Sequence, residues 1–163
     1  MSKIIIAFDN GVSGSCAVLY PDGKSSFVET PVIKVRDYTK EVQYCHRINW
    51  RELSNNLPKD AIAVIERPMV NPHAFVATKS ALRSLEATLI VLEMLDIPYK
   101  FIDSKEWQKE FLSSALIGKE QMKKGSKEVA IELYPNLRTE IEAHGDGDSI
   151  LMARYVMFNM KNK

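Results

Sequence analysis

The sequence predicts an α/β protein built on a mixed five-stranded sheet, three strands in an antiparallel meander plus parallel strands, flanked by helices. Two observations carry this expectation. Three short β-type runs follow one another through glycine-bearing turns, and after them apolar runs alternate with helical periodicities. Size supports it: 163 residues, 45% hydrophobic and 26% charged, suit a single domain spanning 1–163 with a substantial core.

The elements follow in order. "IIIAFD", "SCAVLY" and "SSFVET" are strand-like, separated by "NGVSG" and by Pro21-Asp22-Gly23. Residues 34–43 are polar and suggest no element. "HRINWRELSNNL" reads as a short helix stopped by Pro58. "AIAVIE" is a continuous apolar run, as in a strand buried on both faces. After the two-proline loop "RPMVNPHAF", Leu82, Leu85, Leu89 and Leu92 recur at spacings of three and four and predict a helix from Val76 to Leu95. "IPYKFID" supplies the fifth strand, and Ser104 is the expected N-cap of a helix through Trp107 and Phe111. A further helix, "SKEVAIELYP", is expected to be N-capped by Ser126 and stopped at Pro135. The last, over 147–160, is apolar around most of its circumference and should lie buried on the sheet.

Several function classes are disfavoured. No apolar run approaches the roughly 20 residues of a membrane span, and "MSKIII" is too short for a signal peptide. Cys16 and Cys45 form no CxxC, so a cytoplasmic location is expected, and Cys45-His46 lacks the companion ligands of a zinc site. The net charge of +1 is not that of a generic polyanion binder. Charge is nevertheless segregated. Residues 119–127 carry four lysines against one glutamate, whereas residues 140–148 carry four carboxylates and no lysine or arginine. A basic surface beside an acidic pocket suits a metal-dependent enzyme acting on a phosphate polymer.

The acids occupy three separate elements. Asp9 closes the first strand, Glu66 closes "AIAVIE", and Asp146 and Asp148 open the last helix. Each has a plain reading: turn chemistry beside Asn10-Gly11, a pair with Arg67, and a first-turn acid favoured by the helix dipole. Jointly they suggest more. In an open sheet, adjacent strand ends lie close together, and a helix packed across them aims its first residues at the same point. Clustered carboxylates repel unless they share protons or cations. Hard oxygen ligands suit Mg²⁺ or Mn²⁺, and two such ions can clamp the attacking and leaving oxygens of phosphodiester hydrolysis.

"FDNGVSGSCAVL", "AVIERP", "IPYKFIDSKEWQKEFL", "SKEVAIELYP" and "GDGDSILMARY", in this order and at these intervals, resemble the RuvC-type Holliday junction resolvases, particularly their short phage and plasmid members. The resemblance spans residues 3–158. It implies a ribonuclease H-like fold, a homodimer, and Mg²⁺-dependent nicking of two opposed strands in a four-way DNA junction, with two ions per site. It further implies that Asp9, Glu66 and Asp148 are metal ligands. The remaining ligand is a departure: the family has an acid or histidine three residues before the last aspartate, where this chain has Gly145. Asp146 is the favoured substitute and His144 the runner-up. Positions two apart share no helix face, so Asp146 can join Asp148 only from outside the regular helix.

Lys109 and Lys127 match basic positions that the family places near the scissile phosphate, with Lys127 read as catalytic. Lys119, Lys123 and Lys124, together with Lys79 and Arg83 on the long helix, are DNA-binding candidates, as are Lys34, Arg36 and Lys40 away from the cut. Phe75 is the aromatic in the loop after Glu66 and the candidate for stacking on unpaired bases; packing on the core is its alternative. Ile90, Val91 and Met94 widen the leucine stripe enough to meet a twofold mate. Three other functions compete: a broader nuclease for branched DNA or forks, a non-catalytic DNA-structure binder, and an actin-like ATPase, for which the second domain and adenosine motif are missing.

Overall fold

A computed structural model of the chain describes residues 3–161. Seven strands and six helices are present among them: β1 Ile4–Asp9, β2 Ser15–Leu19, β3 Ser25–Glu29, β4 Val32–Arg36, β5 Tyr44–Ile48, α1 Trp50–Asn56, β6 Ala61–Glu66, α2 Phe75–Met94, β7 Tyr99–Ile102, α3 Ser104–Phe111, α4 Lys119–Leu133, α5 Arg138–His144 and α6 Asp148–Lys161. The main sheet has the order β3-β2-β1-β6-β7. β1, β2 and β3 form the antiparallel meander, and β6 and β7 continue it in parallel with β1. The predicted mixed five-stranded sheet is therefore present.

Alternation along the strands sorts side chains between two layers. Ile5, Ala7, Ala17, Leu19 and Val64 face α3–α6, meeting Trp107, Ala130, Ile141 and the α6 run Ile150–Ala153. Ile6, Phe8, Cys16, Val18, Ala63 and Ile65 face α1 and α2, meeting Leu53, Val91 and Leu92. Ile6, Val64 and Ile65 are fully enclosed. Each such aliphatic side chain contributes about 1.5–3 kcal/mol by burial.

Four local expectations are corrected. Residues 34–43, assigned no element, supply the end of β4 and the connecting loop of a separate β4–β5 ribbon that pairs Val32 with Ile48 and Arg36 with Tyr44. "HRINWRELSNNL" is helical only from Trp50, because Asn49 caps α1: its side chain accepts from the Glu52 N–H and donates to the Glu52 carboxylate at 3.0 Å. Ser104 is the first residue of α3 rather than its cap; the cap is Asp103, whose N–H donates to Glu106 Oε1 at 2.9 Å. Ser126 is not an N-cap either. α4 begins a full two turns earlier at Lys119, and Ser126 is buried inside it.

Candidate metal centre

β1 and β6 run parallel in a register that pairs Phe8 with Ile65, so Asp9 and Glu66 emerge side by side at the carboxyl ends of neighbouring strands. Both belong to the alternation that faces α6, since Ile5 and Ala7 precede Asp9 and Ile62 and Val64 precede Glu66. The start of α6 is pinned over these ends. Ser15, cross-strand partner of Asp9, and Ser149 share a buried hydroxyl–hydroxyl hydrogen bond of 2.7 Å.

The segment 144–148 delivers the remaining acids. Gly145 ends α5 in the left-handed conformation at φ 100°, which a side chain would resist. Gly147 packs so tightly on the Ala130 methyl and the Ser126 carbonyl that no Cβ fits there. Its N–H donates to Ser126 Oγ at 3.2 Å. Asp146 thus lies outside α6, and its carboxylate is free of the helical register that would have turned it away from Asp148.

Asp9, His144 and Asp146 each offer a ligand atom within 4.8 Å of the others. Asp146 is 1% exposed. Its Oδ2 lies 3.1 Å from Lys123 Nζ, and its Oδ1 lies 3.5 Å from His144 Nε2. His144 Nδ1 is 3.6 Å from the Glu29 carboxylate, and the ring stands edge-on to Phe27. Nε2 is buried, faces the Asp146 carboxylate and makes no well-aligned hydrogen bond. Glu66 and Asp148 stand outside this triad but within its electrostatic reach.

That reach shows in the carboxyl pKa values. Burial, then Asp148, Glu66 and Asp146, push Asp9 well above the usual carboxylate range. Burial, then Asp148 and Asp146, push Glu66 up to about 7, opposed by the Ser104 hydroxyl. Burial and then Asp146 push Asp148 up to about 6, opposed by the Ser126 hydroxyl and by Lys123. Burial also works against the Asp146 charge, but His144 and Lys123 outweigh it and hold this carboxyl low. Asp146 in turn raises His144 and Lys123. Buried acids that repel one another, with an imidazole nitrogen beside them, are a donor set short of positive charge. A divalent cation fits it.

The cluster opens into two adjoining clefts. One, of about 380 Å³, is lined by Asp9, Ser13, Gln108, Lys119, Lys123, Asp146 and Asp148. The other, of about 470 Å³, is lined by Asp9, Glu66, Arg67, Met69, Ser104, Lys119 and the α2 residues Ala77, Thr78 and Ala81. Asp9, Asn10 and Lys119 belong to both. Arg67 does not pair with Glu66: its Nε lies 2.9 Å from Asp103.

The other sequence candidates are distributed around this centre. Lys123, rather than Lys127, contacts an acid of the cluster. Lys127 is half-buried one turn further along α4, and Lys109 and Lys124 are exposed. Lys124 lies 3.9 Å from Glu128. Lys79 and Arg83 are turned to Asp37 of the ribbon, at 3.4 and 3.0 Å. Phe75 is 68% exposed at the start of α2, so it does not anchor its loop on the core. Ser126 and Ser104, whose hydroxyls temper the raised pKa values of Asp148 and Glu66, were read from sequence only as helix caps. The signal for Ser126 was its spacing of three from Lys123, which puts both on one face once α4 starts at Lys119.

No protein-family description matches the sequence, and no curated protein does. Among solved structures, T. thermophilus RuvC in complex with a Holliday junction substrate is similar over 96% of both chains, with a TM-score of 0.53 at 10% identity. This chain has a RuvC-like fold. A further Thermus thermophilus RuvC structure matches 94% of this chain and 97% of its own, with a TM-score of 0.46 and 10% identity. Likeness to RuvC at this identity establishes the architecture, a mixed sheet with helices on both faces. None of the described helices is long and apolar enough to cross a membrane.

Proposed function

We propose that the chain is a single-domain, metal-dependent endonuclease that cleaves branched DNA, with four-way junctions as its preferred substrate. The observation that carries this is the convergence of Asp9, Glu66, Asp146 and Asp148 from three elements into an open cleft walled by lysines. Asp9, Asp146 and His144 would hold one divalent ion, Mg²⁺ or Mn²⁺, and Glu66 with Asp148 would complete a second position. Bound there, the ions would polarise the scissile phosphate and lower the pKa of an attacking water.

The chain's own residues prepare that chemistry. The parallel register of β1 and β6 holds Asp9 and Glu66 together without help from a flexible loop. Ser126 accepts from the Gly147 amide, so the turn that leads into α6 is held by α4. Lys123 and Lys119 supply positive charge at the cleft mouth, where a DNA phosphate would enter. Lys127, Lys124 and Lys109 extend that field along α4 and α3. Phe75, exposed beside the cleft wall, would stack on a base at the branch point. The half-exposed Ile90 and the exposed Met94 on α2 give a second copy an apolar strip, so that a twofold dimer presents one site to each of two opposed strands.

The test uses equal amounts of four-way junction, three-way junction, fork and linear duplex, incubated with the protein and Mg²⁺, with the cuts mapped. Symmetric paired nicks confined to the four-way junction are the expected result. Equal cutting of every branched form would replace junction resolution by general branched-DNA cleavage, and no cutting with intact binding would leave a non-catalytic binder.

A further inference from the structure

The β4–β5 ribbon is not part of the sheet that carries the acidic cluster, yet it is held firmly. Asp37, just beyond β4, has a side chain only 8% exposed and accepts from both Lys79 and Arg83 of α2. Arg83 also lies 3.6 Å from Cys45 Sγ, so the Val35–Cys45 face of the ribbon is turned to α2. Alternation sends Lys34, Arg36, Tyr44 and His46 to the opposite face, and all four are exposed. Lys34 Nζ stands 5.5 Å from the centre of the Tyr44 ring. None of the β4 and β5 residues on that face is a carboxylate.

We propose that this outer face of the ribbon is a second DNA contact, gripping the phosphate backbone of a duplex arm outside the cleavage cleft. The inference rests on the nucleic-acid reading above, but not on catalysis. Charge complementarity identifies the occupant. Segment 32–48 contains two acids, and Asp37 is consumed by α2, so Glu41 is the acid left against Lys34, Arg36 and Lys40, while Arg47 falls on the α2 side with Cys45. In a chain whose net charge is only +1, this concentration is local. Tyr44, 61% exposed, stands beside Lys34 on this face, which suits sugar and base edges beside phosphates. The ion pairs to α2 make the ribbon rigid with respect to the helix that also walls the cleft, through Ala77, Thr78 and Ala81. An arm leaving the cleft and one held by the ribbon would therefore keep a fixed relation.

The experiment is a salt titration of DNA binding without divalent metal, comparing the wild-type chain with Lys34→Gln/Arg36→Gln on a long-armed four-way junction and on linear duplex. Neither residue forms an ion pair among the described residues, so the variant should fold and sediment as the wild type does. The slope of log affinity against log salt should become shallower by about 1.8, since each phosphate contact contributes roughly 0.9, and each single variant should account for about half. An unchanged slope on both DNAs overturns the proposal. So does a change in oligomeric state with the slope intact, which would make the ribbon a protein interface. A ribbon-dependent slope in a protein that cuts nothing would instead remove the nuclease reading and leave this one standing.

Discussion

Lys123 and Asp146 meet at 3.1 Å, an ammonium against a carboxylate that is almost wholly enclosed. The pair links the basic helix α4 to the turn before α6, and it places positive charge where the other acids lack it.

Removing that ammonium should therefore damage the centre itself. Lys123→Ala is expected to lower the cleavage rate at saturating DNA by at least about tenfold, as loss of a charge-assisted contact of 1.5–3 kcal/mol implies. Lys127→Ala should act differently, weakening binding and reducing the salt slope by about 0.9. Equal effects in both kinetics and salt slope would dissolve the distinction between the two lysines.

Glu66→Gln keeps the shape of the strand end and deletes one charge. Single-turnover cleavage should fall by about 100-fold or more, because metal-borne charge stabilisation is worth several kcal/mol, while junction binding persists. Cleavage at the wild-type rate would take Glu66 out of the centre.

His144 and Asp146 can be separated by substitution. Asp146→Asn and His144→Ala should both weaken Mn²⁺ binding measured by calorimetry, since both reach Asp9 within the same 4.8 Å group. If either variant binds Mn²⁺ as the wild type does, that residue is not a ligand.

Stability should depend on pH in a direction set by the raised acids. Glu66 at about 7 and Asp148 at about 6 bind protons in the folded protein that the unfolded chain, with ordinary values near ~4, has already released. Their favourable contribution is complete below about pH 4 and is lost as pH rises through 6–7. His144, also raised, acts in the same direction as it deprotonates. Asp146, held low, loses its contribution only as pH falls through its own lowered value. In EDTA, Tm should therefore decline between pH 5 and pH 8, and Glu66→Gln should flatten the decline and melt higher than wild type at pH 8. Excess Mg²⁺ should restore the loss at pH 8, because ligand binding to the folded state adds stability. A Tm that rises over this range would contradict the assigned shifts.

Much of the fold was legible because the main strands carry strong local signals: β-branched apolar runs, punctuated by glycine and proline. The ribbon was not. Its strands pair mainly with each other outside the two cores, so their outer positions are polar and leave no hydrophobic period to read. The "HRINW" start of α1 misled because Ile48 is buried from a strand, at the same spacing a helix would use. α4 was shortened for a different reason: Ser126 resembles a cap by residue type, whereas its hydroxyl back-bonds to the Lys123 carbonyl inside the helix.

At the acidic cluster, Asp9 and Glu66 were visible as acids ending apolar strands, and parity alone puts them on one face. The choice between His144 and Asp146 was not visible. It depends on the left-handed turn at Gly145, which bends the chain so that both side chains arrive together.

The contact of Gly147 with Ala130 and Ser126 has a consequence for how this chain can diverge over time. A methyl added at Gly147 would meet the Ala130 methyl and the Ser126 backbone carbonyl, push α6 off α4 and carry the acids with it. Mutational paths through this crossing must therefore keep Gly147 bare or change it in concert with Ala130. The loop before α4 makes a second contact of this kind, because Leu116 packs where a side chain on Gly125 would lie. Descendants of this sequence should hardly vary at either glycine.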